Sequence, residues 1–327
     1  MFSNIKKYLR PVSLTKLAKE SDILSRVRFC ATAFYLAAPV VAFMFATNSL
    51  QNKLNFDPIW SFVWVTNWIY DVEDMVMTTK VLFILMAILA ALYYRHRSVR
   101  ILFFLALFQV HALESSYGYI NHQWYTWLYT AGILVFLPDI WVRKVSRNSI
   151  RNSLLVLWTA YAMIFMTYFM AGVNKFVMVW LQWQAGEVHG LAMGAFLHQA
   201  AWWVPQLQQP AFMLGLVSEH PYWAWIFYVG LHFLQLFALW AVIRTSLFQV
   251  WIVLFIMFHI GTYLTMGISF TEHLLLLCAF GLASPFIWKQ VTLKQQVMDL
   301  PVVGQLIELS VWLNNKYLKL KLSSFKF

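Results

Sequence analysis

Residues Ser153–Val173 read SLLVLWTAYAMIFMTYFMAGV, 21 residues without a single charged side chain. A helix rises about 1.5 Å per residue, so about 20 such residues cross the roughly 30 Å hydrocarbon core of a bilayer. A surface helix of a soluble domain carries a charged face for water, and this stretch has none. Working outward, Arg143, Lys144, Arg147 and Arg151 precede it, while Lys175 alone follows closely. Basic residues collect on the cytoplasmic side of a span, so the stretch runs from the cytoplasm outward and ends at Lys175.

The same test finds seven more spans: Phe29 to Asn48; a run from near Met75 to Tyr94, with Lys80 reaching for the interface; Ile101 to about Ser116; roughly Gln123 to Leu137; Tyr222 to Ile243; Phe248 to Met266; and His273 to Trp288. The predicted fold is an all-α membrane protein with about eight transmembrane helices in one bundle. Charge tests that number. All but three of the 24 basic residues fall in the N-terminal segment, in alternate loops, or in the C-terminal tail; the exceptions are Lys53, Lys80 and Lys175. An odd number of spans would destroy this alternation. Both termini are therefore expected in the cytoplasm. The chain divides into a basic cytoplasmic segment (1–28), a transmembrane domain (29–288) and a basic amphipathic cytoplasmic tail (289–327).

Composition agrees, with 61% hydrophobic residues, 11% charged and a mean hydropathy of +0.64. A soluble chain of 327 residues needs far more charge to cover its surface. The net charge of +11 reads as a topology signal that also meets anionic lipid heads, so membrane lipids are the expected partners and nucleic acid is not. Cys30 and Cys278 sit in apolar runs and indicate neither a disulfide framework nor a cysteine zinc site. No short apolar run with a small-residue cleavage site follows the first lysines, so no cleaved signal peptide is expected. Three stretches are expected in or near the interface: Ile59 to Tyr70, with Trp60, Trp64 and Trp68 on one face; Gly186 to Ser218, as a lid or re-entrant hairpin; and amphipathic Val302 to Leu318.

Ionisable residues at membrane depth mark function by default. On the side away from the cytoplasm these are Glu114, His122, Lys175, His259 and the pair Glu272–His273. Lys175 is the sharpest candidate, since a desolvated amine can act as a general base; the structural alternative is a lysine reaching for the interface. Tyr168, Ala171 and Gly172 share its helical face, and the two small residues let a neighbouring helix come close. Asn121 and His122 open a helix, as a cap or as a hydrogen-bonding pair at the site. His111 and Glu114, three apart, either orient a proton acceptor or tie two helices together. His259, mid-helix, has a satisfied core histidine as its structural alternative. The nine histidines form no His-x-x-x-His or His-x-x-His-His cluster, so no metal site is expected.

The run Tyr168-Phe-Met-Ala-Gly-Val-Asn-Lys175, followed by Trp180 or Trp183 and then Gly186, resembles the signature of the HTTM family, the transmembrane module of vitamin K-dependent gamma-carboxylase. Asn121-His122 opening a helix is a second match. Phe258-His259, followed by an apolar helix ending Ala283-Ser284-Pro285-Phe286, is a third. Together they cover roughly Glu114 to Phe286. The resemblance implies that Lys175 is the base that deprotonates a quinol on the non-cytoplasmic face, with His122 supporting the site. It implies a quinol as cofactor or substrate and a quinol-oxygenating, carboxylase-like reaction. The chain departs from the carboxylase in having Asn174 before the lysine and in lacking the large lumenal region that captures protein substrates, so carboxylation of propeptide-bearing proteins is not expected. In size it is similar to short stand-alone bacterial inner-membrane proteins like the sporulation-delaying protein B. The rival reading is therefore a non-catalytic membrane partner in maturation, export or immunity of a small secreted peptide. A solute transporter is weaker still, because no inverted repeat with paired broken helices is visible.

Overall fold

The computed structural model describes residues 20–48, 72–116, 124–207, 212–281, 283–286, 291–307, 309–310 and 312–313. Its regular elements are all helical: α1 (Glu20–Asn48), α2 (Val72–Tyr93), α3 (Arg97–Ser116), α4 (Tyr125–Leu134), α5 (Arg147–Gln184), α6 (Ala195–Leu207), α7 (Leu214–Glu219), α8 (Pro221–Leu236), α9 (Ala238–Ile243), α10 (Thr245–Met266), α11 (Thr271–Gly281) and α12 (Leu293–Asp299). Five of them, α1, α2, α3, α5 and α10, are long and apolar enough to cross a membrane. The predicted stretch Ile59 to Tyr70 and much of both termini lie outside the described residues.

The helices are apolar on both faces, as lipid on one side and protein on the other require. On α1, Phe34, Ala38, Val41 and Phe45 are buried, while Phe29, Leu36, Val40 and Phe43 are exposed. Phe34 stacks on Trp127 of α4 at 4.7 Å and meets Phe103 of α3 and Phe280 of α11 edge-on, so α1 is a central post of the bundle. Offset and edge-to-face rings fill such a core and hold its geometry.

Three predicted spans are shorter or broken. α4 has 10 residues and is followed by a turn, Leu137 N donating to Leu134 O at 3.1 Å. Leu137 precedes Pro138, whose ring disfavours helical backbone in the residue before it. α11 has 11 residues. The stretch Tyr222 to Ile243 is two helices, α8 and α9, broken at Phe237 without a glycine or proline. The break leaves carbonyls at the end of α8 without their regular donors, and Trp251 of α10 gives Nε1–H to Leu234 O at 3.0 Å. The break lies at a tertiary contact: at Gly172 of α5 a Cβ would stand 2.6 Å from Leu236 N, so the backbone of α8 lies directly against that glycine.

α5 is longer than its charge-free stretch, running 38 residues. Ser146 caps its start, accepting from Ser149 N at 3.1 Å. It stops where Gly186 takes φ +71°, a left-handed conformation that glycine adopts without strain, and Glu187 N closes onto Gln182 O at 2.9 Å. Lys175 therefore does not end this helix; it sits about two and a half turns before Gln184.

Contacts gather the basic segments at one end. Arg28 Nε donates to Ile140 O at 2.8 Å, Arg26 Nη1 to Ser284 O at 3.1 Å and Arg100 Nη2 to Leu137 O at 2.7 Å, while Arg147 pairs with Glu20 at 2.9 Å. α4 and α11 start together at the opposite end, where Trp127 Nε1 donates to Glu272 O at 2.9 Å, and both finish beside the start of α1.

Candidate functional site

One stripe of α5 builds the site. Tyr161, Phe165, Tyr168, Gly172 and Lys175 follow one another at spacings of four and three and so share a face. Lower on the stripe, Phe165 packs on Phe248 and Phe255 of α10, and Tyr161 gives its hydroxyl proton to Phe280 O of α11. Higher up the same face turns polar.

Tyr168 lies flat on Phe255, with ring centroids 4.0 Å apart, and its hydroxyl meets His259 Nε2 at 2.6 Å. Both residues are buried. Phe255 and His259 are four apart on α10, so one turn of that helix supplies both the ring Tyr168 rests on and the nitrogen it bonds. The His273 ring follows, centred 5.6 Å from that of His259, with Nδ1 3.3 Å from Glu272 Oε1 and Nε2 3.4 Å from Thr126 Oγ1. Glu272 is buried in the first turn of α11, where a carboxylate complements the positive end of the helix. Tyr168, His259, His273 and Glu272 thus form one polar group among four helices, α4, α5, α10 and α11.

Two turns along α5 from Tyr168, Lys175 Nζ donates to Gln235 Oε1 at 2.9 Å. Gln235 is buried in the last turn of α8, next to the break at Phe237. Three residues earlier His232, also buried, sets Nδ1 2.8 Å from Tyr228 O. Gly172 brings α8 near enough for Gln235 to meet Lys175 of α5. The prediction that small residues on Lys175's face admit a neighbouring helix is realised at this glycine. Over the same end lie the described residues of the Gly186–Ser218 segment. Its Leu191 O accepts from Trp225 Nε1 at 2.8 Å, and Met213 N donates to Leu264 O at 2.9 Å, fastening α6 and α7 to α8 and α10.

The structure thus joins Tyr168 to His259 directly and sets Lys175 on the same stripe with its own partner. Glu114 falls elsewhere. It is buried on α3 with its carboxylate 4.0 Å from His111 Nδ1, and the His111 ring stacks on Tyr125 at 5.1 Å. The first turn of α4 stands between the two groups, with Tyr125 facing α3 and Thr126 facing His273. Asn121 and His122 lie outside the described residues. Among the described residues, no three His, Cys, Asp or Glu side chains gather in a way that could hold a metal ion. Sequence reasoning missed Gln235 and His232. Both stand in a long apolar run, and a search for charged residues passes over a neutral amide.

No protein-family model, curated protein or solved structure matches the chain. Fold and site define its class: an all-helical protein with several membrane-length apolar helices, the architecture of a multi-pass membrane protein, carrying a buried polar group between helices.

Proposed function

We propose that the chain is a membrane enzyme of the HTTM kind that acts on a quinol or another lipid-soluble substrate, with Lys175 as general base. The observation that carries this reading is the partner of Lys175. Its Nζ is held by the neutral amide of Gln235, so it can take up or give up a proton without breaking an ion pair. The backbone break beside Gln235 supports it as well. At membrane depth, irregular backbone is tolerated where it is buried in protein or lines a cavity, and broken helices there recur at binding sites.

In this reading eight segments cross a bacterial inner membrane. α4, the pair α8–α9 and α11 complete the five long spans, and both termini face the cytoplasm. The alternation of basic residues supports this, as does the gathering of Arg26, Arg28, Arg100 and Arg147 at one end. Lys175 then faces the other side, and the amine takes the hydroxyl proton of a quinol entering from the lipid, leaving the quinolate to react with dioxygen. His122 and Asn121 are supporting residues by resemblance, and the Tyr168–His259 pair fixes the position of α5 against α10.

The test is quinol-dependent oxygen uptake, with mass spectrometry for a quinone epoxide, in membranes bearing wild type, Lys175→Ala or Lys175→Arg. Epoxide is expected from wild type alone, because a guanidinium stays charged and cannot serve as a base. Correctly inserted wild type that makes no epoxide from several quinols would sink the reading. A second reading, a non-catalytic partner in maturation, export or immunity of a secreted peptide, draws on the exposed aromatic surface of Tyr222, Trp223 and Phe227. It predicts that Lys175→Arg keeps function and that the protein co-purifies with a second chain.

A further inference from the structure

At the basic end, the start of α3 and the turn after α4 enclose a cavity of about 490 Å³. Arg95, His96, Arg97, Arg100, Phe136 and Asp139 line it, so three guanidinium groups face one carboxylate. Arg100 is the unusual member. It is 2% exposed, and one nitrogen, Nη2, donates to Leu137 O at 2.7 Å. Its Nε and Nη1 are buried with no hydrogen-bond partner among the described residues. An arginine so placed keeps a buried positive charge at the cavity wall that hydrogen bonds answer on one nitrogen only, and an anion in the cavity offsets such a charge. Asp139 is engaged locally, its Oδ1 accepting from Trp141 N at 3.2 Å.

The surroundings say how such an anion arrives. Arg97 stands over the exposed Phe136 ring at 5.9 Å, and Leu92, Tyr93, Ile101 and Leu102 on the adjoining ends of α2 and α3 are exposed apolar residues. A charged mouth bordered by apolar helix surface fits a headgroup with its acyl chains, whereas a free ion has no use for the border.

We propose that this cavity binds the phosphate of an anionic phospholipid from the leaflet at the basic end, with Arg100 as the buried charge behind it and Arg95 and Arg97 as its outer wall. The bound lipid ties α3 to the end of α4, giving the protein a built lipid site beyond general attraction to the leaflet.

Detergent-purified full-length protein tests this by native mass spectrometry and thermal unfolding, with phosphatidylglycerol, phosphatidylcholine or inorganic phosphate added. Retention of phosphatidylglycerol with a raised Tm, and neither effect from phosphatidylcholine, is expected. Arg100→Met removes a buried contact and can fail to fold, so the deciding variant is the double change Arg95→Gln with Arg97→Gln, both exposed. It should keep the fold and weaken phosphatidylglycerol binding roughly tenfold, since each basic residue near a charged lipid surface contributes measurably. The control, Arg143→Gln with Lys144→Gln, alters the same end outside the cavity and should leave binding unchanged. Equal weakening in the control would overturn the site in favour of diffuse leaflet attraction. An equal Tm rise from inorganic phosphate would overturn the lipid assignment.

Discussion

At the basic end of the bundle Arg26, Arg28 and Arg100 each donate to a main-chain carbonyl, those of Ser284, Ile140 and Leu137. At the other end such bonds recur, as from Trp127 to Glu272 O, but bonds between side chains stand beside them: Lys175 to Gln235, Tyr168 to His259, His273 to Glu272. The first kind of bond answers a need created by the fold. Chain that leaves a helix in an irregular course carries carbonyls that no helix or sheet pairs, and a long basic side chain supplies their donor. The second kind answers no such need, because apolar side chains of similar shape would leave these helices equally packed. The two ends therefore differ in what their polar groups answer: main-chain carbonyls at one, other side chains at the other.

The largest effect should come from Gly172, which lets α8 approach the Lys175 face of α5. Valine there would drive its methyl groups into the Gln235–Leu236 backbone, and overpacking of this kind costs about 3 kcal/mol or prevents folding. The expected result is a greatly lowered Tm or loss of the monodisperse protein in detergent. A variant that folds as wild type would mean that α8 does not lie on this glycine, and the Lys175–Gln235 pair would fall with it. Arg28→Met comes next. It strips the donor from Ile140 O and should destabilise by about 2 kcal/mol, as loss of a charge-assisted bond to a buried acceptor does. Thermal unfolding measures it, and any activity assigned to Lys175 should persist in whatever fraction stays folded.

How much of this was legible in the sequence follows the same division. Charge-free runs and basic loops showed α1, α2, α3, α5 and α10, and in α5 the Tyr168, Gly172 and Lys175 face, because hydropathy and helical spacing are local properties. The break at Phe237 was not legible. Nothing in Pro221–Ile243 interrupts a helix from within, and the break falls where α8 lies on α5 at Gly172, a contact far away in sequence. Lys175 read as the end of a span because its charge closes the uncharged run; the helix continues until Gly186 supplies a left-handed residue. Tyr168 and His259 were each singled out, but their direct bond depends on the packing of α5 on α10. Glu114 was grouped with them by depth alone, and depth does not tell on which side of α4 a residue falls.

Tyr168→Phe sharpens the comparison from the other end. The ring keeps its stack on Phe255 and loses only the bond to His259, so stability should fall by about 1 kcal/mol, as interhelical hydrogen bonds in membranes do. If this end serves chemistry, turnover should fall further than the folded fraction. Equal losses would make the pair a structural tie like those at the basic end. The smallest effect is expected for Glu20→Gln, which breaks the 2.9 Å pair with Arg147. Those side chains are 57% and 87% exposed, and water already solvates both charges, so the change should be about 0.3 kcal/mol. The measurement is a thermal scan beside Arg28→Met. A shift as large as that of Arg28→Met would mean that ion pairing, and not the capping of carbonyls, holds the basic end together.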